Sequence, residues 1–307
     1  FTLLMRRLEG QVRPDRGLGV AVILRYTLRL LTLDQLSRAS TLICALELLR
    51  KQHAKSLGDV RFSIGLWVGK SATANTLKEV ASSISDYRNG RAGSPFPLEK
   101  CPWCQTELKP DALSVIPSQS KPKEVLVSCS NLSCAFVAST NPEGIPVLFV
   151  DEQIYQELPS FLVATVDKFA MLPWRGETGM LFGRVVGRTG RKFFGPMDKD
   201  RGEHRLPEGV VPPELIVQDE LHLISGPLGT MVGLYETAVE ALCVRSVGAS
   251  KTLPKIIAAT ATVRRARQQI QALFGRREMA VFPPPGVNDS DSYFARTETG
   301  DAPGRLY

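Results

Sequence analysis

Apolar residues along this chain follow two alternating rhythms. Short β-branched and aliphatic runs occupy residues 19–24, 62–68, 147–150, 162–165, 215–218 and 255–259. Runs of that length between turn-forming residues predict strands buried on both faces. Between them, residues 34–53, 73–87, 229–244 and 263–274 place apolar side chains three and four apart, which lays one apolar stripe along a helix. Strands alternating with helices predict an α/β fold, a parallel sheet with helices on both faces. Two stretches break the rhythm. Residues 90–136 hold Pro, Ser, Lys and paired cysteines, and residues 174–213 are rich in Gly, Arg and Pro. Both are expected to be insertions or long surface loops. The Pro-rich run at 282–286 has the composition of a linker leaving the domain.

Composition sharpens this picture in three respects. A chain of 307 residues, 43% of them hydrophobic, can bury one sizeable core and a small appendage, which excludes a disordered or fibrous protein. A formal charge of +7 fits a polyanionic partner without indicating any reaction. Nothing resembles the roughly 20 apolar residues of a membrane span or a signal peptide, so a cytoplasmic protein with no membrane partner is expected.

Six cysteines fall into two classes. Cys44 and Cys243 sit alone in apolar helical patterns and are expected to be buried core thiols. Cys101-Pro-Trp-Cys104 and Cys129-x-x-x-x-Cys134 supply four thiols in two close pairs, the ligand set of a structural Zn²⁺ site. A disulfide pair or a redox Cys-x-x-Cys are the competing readings. Lys100, Lys109, Lys121 and Lys123 surround the cluster; they would touch phosphates or line a solvated loop.

The densest chemistry lies in Leu215-Ile-Val-Gln-Asp-Glu-Leu-His222, an apolar strand that ends in two carboxylates and a histidine. At the carboxyl end of a buried parallel strand, ligands bind in the crevice outside the sheet. There Asp219 could hold Mg²⁺ and Glu220 could orient or deprotonate water; an ordinary strand end with a solvated acidic pair is the plainer reading. Some forty residues on, a second buried strand ends in Thr260-Ala261-Thr262, whose hydroxyls could bond to His222. Arg184, Arg188, Arg191 and Lys192 run into Phe193 and Phe194, either a single-strand binding channel or a loop packed by its phenylalanines. His53 and His204 are expected on the surface, and Trp67 and Trp174 in core or loop packing.

Asp219-Glu220-Leu221-His222 resembles the DExH motif II of superfamily 2 helicases, and Thr260-Ala261-Thr262 resembles their motif III. Arg25-Tyr-Thr-Leu-Arg-Leu-Leu-Thr32 resembles motif Ia, and Val163-Ala-Thr-Val-Asp-Lys-Phe169 a later segment that touches the tracking strand. Ile64-Gly-Leu-Trp-Val-Gly69, Ala164-Thr-Val-Asp-Lys-Phe-Ala-Met-Leu172 and Gln218-Asp-Glu-Leu-His-Leu-Ile-Ser-Gly-Pro-Leu228 are similar to the DISARM phage-defence helicase, the DrmA-like group. The resemblance implies a RecA-like sheet with a small zinc-ribbon insertion, and an ATP-dependent DNA helicase or translocase with companion defence subunits. It implies that Asp219 binds Mg²⁺, that Glu220 activates water, and that His222, Thr260 and Thr262 couple hydrolysis to strand movement. Arg25, Thr27 and Thr165 would meet phosphates of the tracking strand, and Lys168 and, from the basic run, Arg188 and Arg191 are further candidates for contact with nucleic acid.

One part is missing. No G-x-x-x-x-G-K-[ST] phosphate loop occurs; Gly69-Lys70-Ser71 imitates its tail with the wrong spacing and order. The chain is therefore expected to be an internal piece, with a phosphate loop upstream of Phe1 and a second RecA-like domain after Tyr307. Within it the expected divisions are a first part of the RecA-like domain at 1–94, a zinc-ribbon insertion at 95–137, the second part at 138–281 and a linker at 282–307. The alternative is a zinc-ribbon nucleic-acid-binding scaffold without ATP turnover.

Overall fold

A computed structural model of the chain describes residues 1–282 apart from 14, 16, 28, 71, 248, 249 and 261–265, and omits the side chains of 29–32, 247 and 250. The chain divides into two units, Phe1–Thr262 and Val263–Tyr307. The first contains α1 (Thr2–Glu9), β1 (Val22–Tyr26), α2 (Arg29–Gln52), α3 (Ala54–Leu57), β2 (Ile64–Trp67) and α4 (Leu77–Arg88). Next come β3 (Leu113–Ser118), β4 (Lys121–Val127), β5 (Val147–Leu148), α5 (Asp151–Glu157) and β6 (Phe161–Thr165). Then follow β7 (Gly187–Thr189), β8 (Lys192–Phe194), β9 (His204–Arg205), β10 (Leu215–Gln218), α6 (Gly226–Cys243), β11 (Arg245–Val247), β12 (Ser250–Thr252) and β13 (Lys255–Ala258). The described part of the second unit holds α7 (Ala266–Phe274).

Six strands form one sheet in the order β13-β10-β1-β6-β2-β5, and every pair in it is parallel. Side chains alternate across such a sheet, and the sequence fills both faces. Val22 and Tyr26 of β1, Ile64 and Leu66 of β2 and Val163 of β6 join one buried cluster with Leu36 and Ile43 of α2 and Val80 and Ile84 of α4. Ile23, Trp67, Leu162 and Ala164 join the other, with Ile154 of α5 and Val239 of α6. The sheet is thus covered on both sides, as the alternating rhythm predicts. Helix α4 starts where Thr76 and Glu79 form a capping box, which satisfies two free amides at its first turn.

Cys44 and Cys243 are buried and His53 and His204 exposed, as expected. Trp67 is fully buried and donates its Nε1 proton to the Tyr155 hydroxyl at 3.0 Å. Trp174 departs from expectation, since it is 81% exposed. Both interrupting stretches also contain structure. Residues 113–127 make the β3–β4 hairpin, and Phe96, Leu108, Val125 and Phe136 belong to the same buried cluster as the main sheet. The region expected as loop at 174–213 folds into a small antiparallel sheet, β8-β7-β9. Its strands are two or three residues long, too short for an apolar period to register. Gly187 is required there, because a Cβ would lie 1.9 Å from the Arg201 carbonyl oxygen.

Candidate functional site

Strand β10 stops at Gln218, and the two carboxylates follow at the carboxyl rim of the sheet. The Asp219 amide donates to the Arg25 carbonyl at 3.0 Å and the Leu221 amide to the Ala259 carbonyl at 3.0 Å, so the segment is tied to β1 on one side and to the end of β13 on the other. Glu220 takes a left-handed conformation with φ 50° and ψ 47°. That backbone costs a residue with a Cβ about 1–2 kcal/mol, and strain of this kind concentrates where a side chain must be aimed.

Around this turn the polar groups converge. Oδ1 of Asp219 accepts the Glu220 amide at 2.9 Å. Burial, followed by the charge of Asp219 and a hydrogen bond to it, pushes the Tyr26 phenol up to about 12, so Tyr26 remains a neutral donor to that carboxylate. Nδ1 of His222 lies 3.2 Å from Thr260 Oγ1 and 3.2 Å from Glu220 Oε2. The three groups therefore form one linked set, open to solvent on one side. Ala261 and Thr262 lie outside the described residues.

Buried polar atoms without partners mark where a ligand or water completes a site. Thr27 Oγ1, Thr165 Oγ1 and Gln218 Oε1 are such atoms, at the carboxyl ends of β1, β6 and β10. They lie at the ends of three neighbouring strands of the sheet, β10, β1 and β6, at the same rim as Asp219. The sequence holds no phosphate-loop motif to accompany them.

Four expected nucleic-acid contacts are engaged elsewhere. Arg25 is 2% exposed, forms an ion pair with Glu236 of α6 and lies 5.4 Å over the Phe169 ring. Lys168 is buried with its Nζ 2.6 Å from Asp151. Arg188 is buried and donates to the Gly190 carbonyl at 2.8 Å. Arg191 reaches Glu124, as well as Glu143 at 3.2 Å and Glu157 at 3.3 Å. Each of these cations has a carboxylate partner, and stripping a buried pair costs about 3–5 kcal/mol, although Nε and Nη2 of Arg25 and Nε of Arg188 keep no partner. Thr27 and Thr165 keep their hydroxyls uncommitted. Tyr26 and Gln218 were missed by sequence reasoning, although both lie inside the strings that carry the resemblance.

The cysteine cluster is a second centre. The Sγ atoms of Cys101, Cys104, Cys129 and Cys134 all lie within 4.8 Å of one another, with Cys101–Cys134 at 3.9 Å and Cys104–Cys129 at 3.5 Å. A tetrahedron with Zn–S bonds near 2.3 Å has S···S edges of about 3.8 Å, whereas a disulfide needs about 2 Å. The separations fit metal ligation and exclude both pairings as disulfides. Backbone amides of Asn131 and Phe136 donate to Cys129 and Cys134, each at 3.4 Å. Gln105 turns left-handed at φ 62° to close the first knuckle. Burial raises the Cys101 thiol strongly and Cys134 to about 11. At Cys104 burial also raises the thiol, but hydrogen bonds from Thr106 and neighbouring cysteines outweigh it and hold the group down at about 6.

Fold and sites together define an α/β chain with a carboxylate-bearing rim on a parallel sheet and a four-thiolate, zinc-compatible centre on the same body. In sequence this chain is DrmA-like. It is 41% identical to the DISARM protein DrmA of Bacillus paralicheniformis over 326 aligned positions, which cover 100% of this chain and 28% of that protein. The chain therefore spans less than a third of the length of the curated relative it matches. No family model matches it. Solved structures of the DUF1998 helicase MrfA bound to DNA, and bound to DNA and AMPPNP, are each 13% identical with a TM-score of 0.28. They cover 88% and 90% of this chain against 24% and 26% of theirs, and at that TM-score the likeness carries no argument. Among the described residues, no helix is long and apolar enough to cross a membrane.

Proposed function

We propose that the longer protein to which this chain corresponds is an ATP-driven DNA helicase or translocase of a phage-defence system, working in the cytoplasm with companion defence subunits. Residues 1–94 and 138–281 would form its first RecA-like domain, and residues 95–137 a zinc-binding insertion. Identity to DrmA along the whole chain supports the setting. The observation that carries the reading is the linked set Glu220, His222 and Thr260 at the rim where β10 and β13 end side by side.

In this reading Asp219 holds Mg²⁺, which when bound offsets the negative charge of the phosphates. Glu220, aimed by its left-handed backbone, orients the attacking water and accepts its proton. Tyr26 steadies Asp219 by donating to it. His222 spans Glu220 and Thr260, so a shift of the water-holding carboxylate is felt at the end of β13. Thr27 and Thr165 offer hydroxyls to the phosphates of a nucleic-acid strand, contacts that position it without reading its sequence.

The test uses the full-length protein with Glu220→Gln, which keeps the side-chain shape and removes the base. DNA-stimulated ATP hydrolysis should fall by a factor of about 10²–10⁴ while DNA affinity is retained. Hydrolysis at the unsubstituted rate would refute the assignment. DNA binding by the unsubstituted protein with no turnover at all would favour a zinc-ribbon scaffold instead.

A further inference from the structure

A cavity of about 760 Å³ opens at the amino-terminal end of the sheet, the end opposite the carboxylate rim. Its walls come from the residues before β1, the turn at 182–185, the segment entering β10 and the chain leaving α6. Strand β10 spans about 13 Å at roughly 3.3 Å per residue, so a small ligand here is a different molecule from any held at Asp219.

The walls are held firmly. Gly183 and Gly209 take left-handed φ values of 81° and 72°, and a Cβ on either would lie 2.1 Å and 2.3 Å from a facing carbonyl oxygen. That contact lets the Val210 amide reach the Gly183 carbonyl at 3.1 Å. From beneath, the buried Arg6 guanidinium donates to the carbonyls of Val211 and Pro212. Phe182, Leu206 and Val210 make part of the lining apolar.

Charge at the mouth is one-sided. Arg13, Arg184, Arg205 and Arg245 line the cavity with Asp15 and Glu208. Arg245 is spent on Glu214 at 2.7 Å, and Asp15 is buried and accepts the Gly17 amide. Among the described residues, the exposed side chains of Arg13, Arg184 and Arg205 hold no hydrogen bond or ion pair, so three cations face the two carboxylates of Asp15 and Glu208. Guanidinium groups grip phosphate oxygens in a two-pronged geometry, and apolar walls strengthen their field. Three unpaired guanidinium groups on one volume match the several oxygens of a phosphate better than a single carboxylate.

We propose that this cavity binds phosphate groups, independently of the rim. A nucleic-acid backbone and a free polyphosphate share this chemistry, and two probes separate these sources. Titration of the 307-residue chain with pyrophosphate should show binding that weakens at least tenfold in Arg184→Ala/Arg205→Ala and recovers partly in Arg184→Lys/Arg205→Lys. If affinity for a labelled single-stranded oligonucleotide also falls, with a salt slope smaller by about 1.4 for two lost contacts, the source is nucleic acid. If only pyrophosphate binding falls, the ligand is a free phosphate compound. Should the alanine pair melt early, Arg13→Glu, a single exposed change, serves in its place. Pyrophosphate binding that is absent, or unmoved by these substitutions, overturns the proposal, as does preference for a polyglutamate peptide over both phosphate probes.

Discussion

Residue by residue, the rim separates charges open to solvent from charges sealed in the fold. Glu220 occupies a strained left-handed backbone and keeps a third of its side chain exposed, whereas Arg25, paired with Gln218 on the adjacent strand, is sealed inside. A buried ion pair is no bonus in itself, but losing one member strands the other. Replacing Glu236 with Ala would leave the Arg25 guanidinium buried with no counter-charge, and two of its nitrogens already lack partners. We expect Glu236→Ala to lower stability by about 3–5 kcal/mol in urea unfolding, and Arg25→Met/Glu236→Leu to cost much less. Equal losses in the single and the double variant would show that packing, not charge, sets the penalty. Sequence could not reveal this pairing, because Glu236 lies 211 positions from Arg25 and an arginine at a strand end looks the same whether it faces inward or outward.

At the scale of elements, legibility followed length and period. Strand β10 appears over the residues its apolar run predicts, and α6 begins three residues ahead of its predicted start because Ser225 and Pro227 open its first turn. The sheet of β7, β8 and β9 was invisible, since its strands draw their order from Gly187 and from Arg191 binding three carboxylates rather than from an apolar period. The cysteine centre was legible from spacing alone, although not its union with the main core through Phe136 and Val127. Through that union a metal held by the four cysteines would stabilise the body. We expect about one zinc per chain by elemental analysis, and chelation should lower the melting temperature and expose the β3–β4 hairpin to hydrogen exchange. Zinc binds thiolates, so each proton competes with it. With Cys134 near 11 and Cys104 near 6, acid favours release, most steeply once the pH falls below about 6 and the last thiolate is protonated. Folded, metal-free protein with an unchanged melting temperature would contradict a structural zinc.

For the whole molecule, the decisive feature is how little of a nucleotide cleft one sheet can supply. The rim brings together two carboxylates, to which the proposed function gives a cation and a water, and a histidine–threonine link. Gripping a triphosphate also takes backbone amides and a lysine around the β and γ phosphates, and Lys70, the nearest imitation in sequence, is exposed and paired with Glu79 at 2.9 Å. Catalysis of phosphoryl transfer is almost entirely positioning and charge stabilisation, so a base and a cation site without a phosphate grip hold no reactant in line. The 307-residue chain should therefore show no DNA-stimulated ATP hydrolysis above background, while the full-length protein turns over and loses that activity with Glu220→Gln. Adding the remaining chain in trans would restore hydrolysis only if it supplies the phosphate grip against this rim. Robust turnover by the isolated chain would mean that phosphates are held by residues other than those argued for, and the roles given to Asp219 and Glu220 would have to be rebuilt around them.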